Sequence, residues 1–154
     1  MSEQSLQERY APNNRCFGCG PANERGLRVR SFVDGDALVA TFRPEPHHQA
    51  FAGVLNGGIV GALLDCHGNW AAAHALMLAR GVAEPPCTVT ADFHVTLRRP
   101  TPLDAELSLW AKPASIDGDK VLVDATLTAL GKVAATMKGT FVAVREGHPA
   151  YHRW

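Results

Sequence analysis

One long apolar segment constrains the fold more than any other part of the chain. It begins at the Asn56-Gly57-Gly58 step, continues to about Arg80, and is ended by Gly81. Its length and the glycine after it predict a helix. Because residues 50–79 contain a single formal charge, the helix is apolar nearly all round and has to be enclosed by other elements.

Segments with alternating apolar and polar residues lie on both sides of this helix. A hairpin is predicted over residues 27–44, with DGD as its turn. Four strands are predicted after Cys87, in the segments CTVTADFHVTLRRP, AELSLWAKPASI, KVLVDATLTAL and KVAATMKGTFVAVRE. This order predicts an α+β architecture in which an antiparallel sheet wraps around one central helix. With no interior linker, we expect one domain over residues 1–154, with residues 1–26 as an N-terminal extension.

The composition argues against several classes of partner. Lys plus Arg and Asp plus Glu both total 15, so no summed positive field attracts nucleic acid. The polar residues inside the apolar segment argue against a membrane span. The opening MSEQSLQERY has no apolar stretch after a basic start, so we expect no secretory signal and a cytoplasmic protein.

Asp65 is the one formal charge in residues 50–79. Burying a carboxylate costs several kcal/mol unless a partner offsets the cost, and such groups tend to mark functional sites. Asn69 lies four residues later and shares its helical face. Asp65 is therefore our main candidate for a functional residue; the alternative is a core acid bonded to a neighbouring strand.

The start of the helix offers a second candidate feature. The backbone N–H groups of Gly57 and Gly58 have no intrahelical partner there, and they can hold a carbonyl oxygen or an anion. Asn56 precedes them and is also a favoured N-cap residue, so a purely structural role for it stays open.

These motifs resemble those of hot-dog-fold acyl-CoA thioesterases of the phenylacetate-pathway type, members of the thioesterase superfamily. The family signature is a His-Gly-Gly step, an acid nine positions after that histidine, and a strand of pattern Thr-x9-Pro. Matching residues are Gly57, Gly58, Asp65, Thr90 and Pro100, and the resemblance spans roughly residues 27–146. The segment CFGCGPANERGLRV also resembles the opening of a bacterial subgroup of this family.

The chain departs from the signature at Asn56, which stands where the family has histidine. The asparagine side chain donates and accepts hydrogen bonds, but it cannot take up and release a proton at neutral pH as histidine does. The departure therefore bears on catalytic rate more than on fold.

The resemblance implies a homodimer or homotetramer that shares its active sites between subunits and uses no metal or organic cofactor. Gly58 would hold the thioester oxygen through its N–H, and Asp65 would activate water or attack directly. Thr90 corresponds to the hydroxyl that assists the water, and Gln49 is a weaker candidate for orienting it. Asn56 would take the place of the catalytic histidine.

Five further residues are candidates for binding the substrate. Arg98 and Arg99 can bind the phosphates of coenzyme A, although a charged strand end is the common meaning of such a pair. His48 is expected at the mouth of the site, with a solvated loop histidine as the alternative. The other two candidates, Gly57 and Asn69, lie on the helix.

Cys16 and Cys19 have the spacing of half a zinc site. The other half would have to come from His47, His48, Cys66 or Cys87, none of which stands at a diagnostic interval. A redox pair is a further alternative. We expect the two cysteines to pack in a glycine-rich turn without metal.

Two other functions remain open at this point. One is a protein that binds acyl-CoA without hydrolysing it, which Asn56 favours. The other is a hydratase or dehydratase of the same fold, which usually needs an Asp-His pair.

Overall fold

The computed structural model describes residues 3–154. The helices are α1 (Leu6–Tyr10), a 3-10 turn (Pro46–His48) and α2 (Gly57–Arg80). The strands are β1 (Phe32–Asp34), β2 (Ala37–Phe42), β3 (Gln49–Phe51), β4 (Val54–Leu55), β5 (Thr88–Leu97), β6 (Leu107–Asp117), β7 (Lys120–Ala129) and β8 (Lys132–Ala143).

Six strands form one antiparallel sheet in the order β1-β2-β6-β7-β8-β5. Helix α2 packs against β2 and against all four strands from β5 to β8. This arrangement confirms the predicted antiparallel sheet around one long helix. Strand β5 lies at an edge of the sheet, so among residues 3–154 one side of its backbone has no partner strand.

Helix α2 is enclosed as its composition requires. Leu63, Leu64, Trp70 and Leu76 are almost completely buried in the core between the helix and the sheet. Gly68 lets the helix come close to β8, because a Cβ there would lie 2.7 Å from Cε of Met137. None of the helices in residues 3–154 is long and apolar enough to cross a membrane.

The predicted hairpin is shorter in the structure than in the sequence interpretation. Its first strand begins at Phe32, and the preceding apolar residues pair with the N-terminal turn instead: Leu27 N–H donates to Phe17 O at 2.7 Å, and Val29 N–H donates to Gly18 O at 3.0 Å. The alternation of apolar and polar residues does reflect burial, because Leu27 and Val29 are both buried. Their backbone, however, bonds to a turn and not to a second strand.

Buried hydrogen bonds attach the N-terminal segment to α2. His67 Nδ1 lies 2.8 Å from Ser31 Oγ, and its Nε2 lies 3.0 Å from Leu38 O. Gln7 bonds to Ser31 through both ends of its amide, with Nε2 to Oγ at 2.9 Å and Oε1 from the backbone N–H at 2.8 Å. His67 is thus a core residue, and α1 with its Ser5 and Glu8 capping box was missed by the sequence analysis.

Candidate active site

Asp65 projects from the middle of α2 toward β5. The Thr90 hydroxyl donates a hydrogen bond to Asp65 Oδ1, with an oxygen-to-oxygen distance of 2.6 Å. The pairing of β5 with β8 shifts register between Thr90 and Asp92, and such bulges re-aim a strand's side chains. Asp65 is therefore bonded to a neighbouring strand, as the structural alternative expected, and its partner is the hydroxyl that the family resemblance places in the site.

The carboxyl group of Asp65 is partly buried, and neighbouring groups offset part of the cost of burying its charge. Burial raises its pKa. The Thr90 hydrogen bond and the charge of Arg153 oppose the rise, but the net effect is a pKa above the usual value. A carboxylate held in this way can take a proton from water or attack a carbonyl carbon.

The start of α2 forms a separate group of donors. Asn56 is the N-cap: its Oδ1 accepts from Ile59 N–H at 3.2 Å, and its own N–H donates to His48 O at 2.9 Å. Its side chain is exposed, and its Nδ2 has no hydrogen-bond partner within residues 3–154. The N–H groups of Gly57 and Gly58, at the first two helical positions, cannot be used by the helix itself.

The two groups stand on different turns of α2. Asp65 follows Gly58 by seven positions. At a rise of about 1.5 Å per residue, their positions differ by roughly 10 Å along the axis of α2.

A groove of about 390 Å³ opens beside the start of α2. It lies between β3, β4, the first turn of α2 and the end of β5, and Phe51, Gly57, Leu97, Arg98 and Arg99 line part of it. Both arginines are exposed, and each is anchored through Nε: Arg98 to Thr136 Oγ1 at 3.3 Å and Arg99 to Val133 O at 3.2 Å. The groove is therefore lined by apolar side chains on one part of its wall and by the two positively charged arginine side chains on another.

Three residues that were predicted to belong to the site have no side-chain hydrogen bond to the Asp65 carboxylate within residues 3–154. Asn69 is 3% exposed, and its Oδ1 accepts a bond from the Thr88 hydroxyl at 2.8 Å, so its amide holds the start of β5 in place. His48 is buried, with its Nδ1 accepting from Glu45 N–H at 3.0 Å. Gln49 lies exposed in β3, paired with Leu55 beside the start of α2.

The sequence analysis missed the C-terminus as a neighbour of the site. Arg153 Nη1 donates to Thr88 O at 2.8 Å, and the Trp154 ring stacks on Trp70 with ring centroids 4.6 Å apart. These contacts place a cation near Asp65. Since 65 positions separate Arg153 from Thr88, no local spacing pattern signals this contact.

Comparisons with known proteins give the same architecture. No family model matches the chain, and no curated protein matches it. A thioesterase superfamily protein from Shewanella loihica PV-4 is 30% identical, with 81% of this chain and 98% of that chain covered and a TM-score of 0.67. A second thioesterase superfamily protein is 24% identical, with 92% and 71% covered and a TM-score of 0.68.

A third similar structure supports the fold alone. The E. coli PaaI protein from the phenylacetic acid degradation operon is 15% identical, with 77% of this chain and 81% of that chain covered and a TM-score of 0.65. Together with the sheet and helix described above, these structures confirm the predicted hot-dog fold.

Proposed function

The chain belongs to the thioesterase superfamily, and on that premise we propose that it hydrolyses an acyl-CoA thioester to a free acid and coenzyme A. The observation that carries the proposal is the Asp65 carboxylate, set in an apolar helix and bonded by the Thr90 hydroxyl at 2.6 Å. A partly buried acid with one hydroxyl partner keeps its second oxygen for a reacting water.

The proposed reaction uses Asp65 as base or nucleophile. As base, it takes a proton from water while the water oxygen bonds to the carbonyl carbon; the C–S bond then breaks, and the departing sulfur takes a proton. As nucleophile, the carboxylate itself bonds to the carbonyl carbon, the C–S bond breaks, and the departing coenzyme A sulfur takes a proton; water then hydrolyses the resulting anhydride and frees the Asp65 carboxylate. In both routes Thr90 holds the carboxylate in position.

The developing negative charge on the thioester oxygen needs a donor. The Gly58 N–H suits this role, because it stands at the positive end of α2. Since Gly58 and Asp65 of one chain lie roughly 10 Å apart along the helix, we propose that each site combines Asp65 of one subunit with Gly58 of another. The chain would then work as a homodimer or homotetramer.

The exposed side of β5 supports this assembly. Phe93 is 43% exposed and Leu97 is 57% exposed, although both lie on a strand beside the proposed site. A second copy that covers this edge would bury both side chains and satisfy the free strand edge. Gln49 and Asn56 would then face the partner's Asp65 together with Gly58.

We assign coenzyme A binding to the groove at the start of α2. Arg98 and Arg99 provide positive charge for phosphate groups, and Phe51 and Leu97 provide apolar contacts for the rest of the ligand. We remove His48 and Asn69 from the substrate-binding set, because their side chains are held in structural bonds. We also propose that residues 1–154 form one domain, since the N-terminal segment packs on α2.

A binding protein without hydrolysis is the second candidate. It is favoured by one observation, the exposed Asn56 that supplies no titratable proton at the start of α2. A hydratase or dehydratase has less support: within residues 3–154, no histidine is hydrogen-bonded to Asp65.

A panel of acyl-CoA thioesters separates these functions. We expect release of the coenzyme A thiol with at least one aromatic or medium-length aliphatic acyl group, at a rate proportional to the protein concentration. Tight binding of the same thioesters with no thiol release would favour the binding protein. Consumption of an enoyl-CoA without thiol release would favour the hydratase.

A further inference from the structure

Three cysteine sulfurs converge beside the proposed site. Cys16 and Cys19 come from the N-terminal turn, and Cys66 comes from α2, directly after Asp65. Their Sγ atoms all lie within 4.8 Å of one another, and those of Cys16 and Cys66 are 3.7 Å apart. The fold therefore selects Cys66 from the four residues that the sequence left open as partners of the Cys16-x-x-Cys19 pair.

The distances fit a tetrahedral metal ion. With Zn–S bonds of about 2.3 Å, neighbouring sulfurs of a tetrahedral site lie about 3.8 Å apart. Cys16 and Cys66 already have this separation. The other pairs would have to close by at most about 1 Å, which small side-chain rotations provide.

One N–H group points at these sulfurs. The indole Nε1–H of Trp70 donates to Cys19 Sγ at 3.4 Å. Such a donor stabilises negatively charged sulfur, which is the form that binds metal.

Two glycines fix the turn that carries the cysteines. A Cβ on Gly18 would lie 2.3 Å from the Cys66 sulfur, so only glycine lets the turn rest on α2 at this point. A Cβ on Gly20 would lie 2.4 Å from both Asn14 O and Cys16 N. Asn14 Oδ1 also accepts from Cys16 N–H at 3.0 Å. The geometry of the turn is therefore set before any ligand binds.

We propose that Cys16, Cys19 and Cys66 form a three-thiolate site for a thiophilic divalent cation, namely Zn²⁺. Cys19 is 1% exposed and Cys66 is 9% exposed, whereas Cys16 is half-buried. The fourth coordination position therefore opens on the side of Cys16, where water or a small ligand completes the tetrahedron. The bound ion ties the N-terminal segment to α2 beside Asp65. This site stands independently of thioester hydrolysis.

The test is metal binding by the full chain with its thiols kept reduced. Elemental analysis after dialysis against Zn²⁺ should give one Zn²⁺ per chain, and Co²⁺ added to the metal-free protein should produce thiolate-to-cobalt charge-transfer absorption. Cys16→Ser should weaken binding by at least about 10²-fold and remove that absorption. Since Cys66→Ser alters the core of α2, the half-exposed Cys16 is the primary variant.

Cys87 is the matched control, because it is a free cysteine outside the cluster with comparable exposure. Cys87→Ser should bind Zn²⁺ and Co²⁺ like the unaltered protein. The proposal is overturned if the reduced protein binds no Zn²⁺ at micromolar concentration. It is also overturned if Cys16→Ser and Cys87→Ser bind equally well, or if the cluster forms a disulfide that resists reduction. Hydrolysis is not measured, so failure here leaves the proposed function intact.

Discussion

Asp65→Asn is the substitution that separates a catalytic acid from a structural one. The amide has nearly the same shape as the carboxylate, and its oxygen still accepts the Thr90 hydroxyl bond, so the site keeps its geometry. The negative charge and the ability to take a proton are lost. We therefore expect activity and stability to change by very different amounts.

The two magnitudes follow from the contacts of Asp65. Removing a general base costs on the order of 10²–10⁴ in rate, or about 3–5 kcal/mol. The Thr90 bond changes from a charged to a neutral acceptor, which weakens it by about 1 kcal/mol. Removing a partly buried charge is favourable by a similar amount. The free energy of unfolding should therefore stay within about 1 kcal/mol of its original value.

The assay measures coenzyme A release and thermal unfolding on the same preparation, with acyl-CoA binding as a check on the pocket. Asp124→Asn is the matched control, because Asp124 is an exposed acid on β7. The control should keep full activity and stability. Near-normal hydrolysis by Asp65→Asn would refute the catalytic assignment. An unfolded and inactive variant would make Asp65 a structural acid.

Three further predictions concern the other parts of the site. Thr90→Val removes a hydrogen bond to a charged group, worth about 1.5–3 kcal/mol, so turnover should fall by roughly 10- to 100-fold with little loss of binding; an unchanged kcat would remove Thr90 from the mechanism. Asn56→Ala should lower turnover by more than the ~1 kcal/mol loss of an N-cap explains, whereas a lower melting temperature alone would leave Asn56 as a cap. Light scattering at micromolar concentration should give a dimer or tetramer, and a fully active monomer would contradict the shared site.

Most of the fold could be predicted because its signals are local. The charge-poor helix ends where Gly81 adopts a left-handed φ of 62°, and the four strands after Cys87 alternate with period two. The start of the hairpin was wrong for a physical reason. Leu27 and Val29 alternate like a strand, but their backbone N–H groups bond to the turn at Phe17 and Gly18, and no local pattern distinguishes these partners.

The candidate site likewise contains residues that could be predicted from the sequence and residues that could not. Asp65 and Thr90 could both be named as site candidates from the sequence because one family motif contains both positions, but the hydrogen bond between them was not predicted. The role of Asn69 could not be predicted either, since its place on the helical face of Asp65 does not reveal that Thr88 occupies its amide. The approach of Arg153 to the site and the meeting of Cys66 with Cys16 depend on tertiary contacts between segments far apart in the chain.

The distance between Gly58 and Asp65 leads to a final prediction, complementation between two inactive variants. Gly58→Pro removes the proposed oxyanion donor, and the first turn of a helix tolerates proline because no intrahelical bond is lost there. A Cβ at this position would lie 2.9 Å from Asn56 Oδ1, so the Asn56 side chain of the same subunit shifts as well. Asp65→Asn removes the acid. If each site takes one group from each subunit, a mixed dimer contains one intact site and one doubly defective site. Equal mixing of dissociated chains makes half of the dimers mixed, so about a quarter of the unaltered activity should return. If both groups served a site within one subunit, every site would keep a defect and mixing would restore nothing.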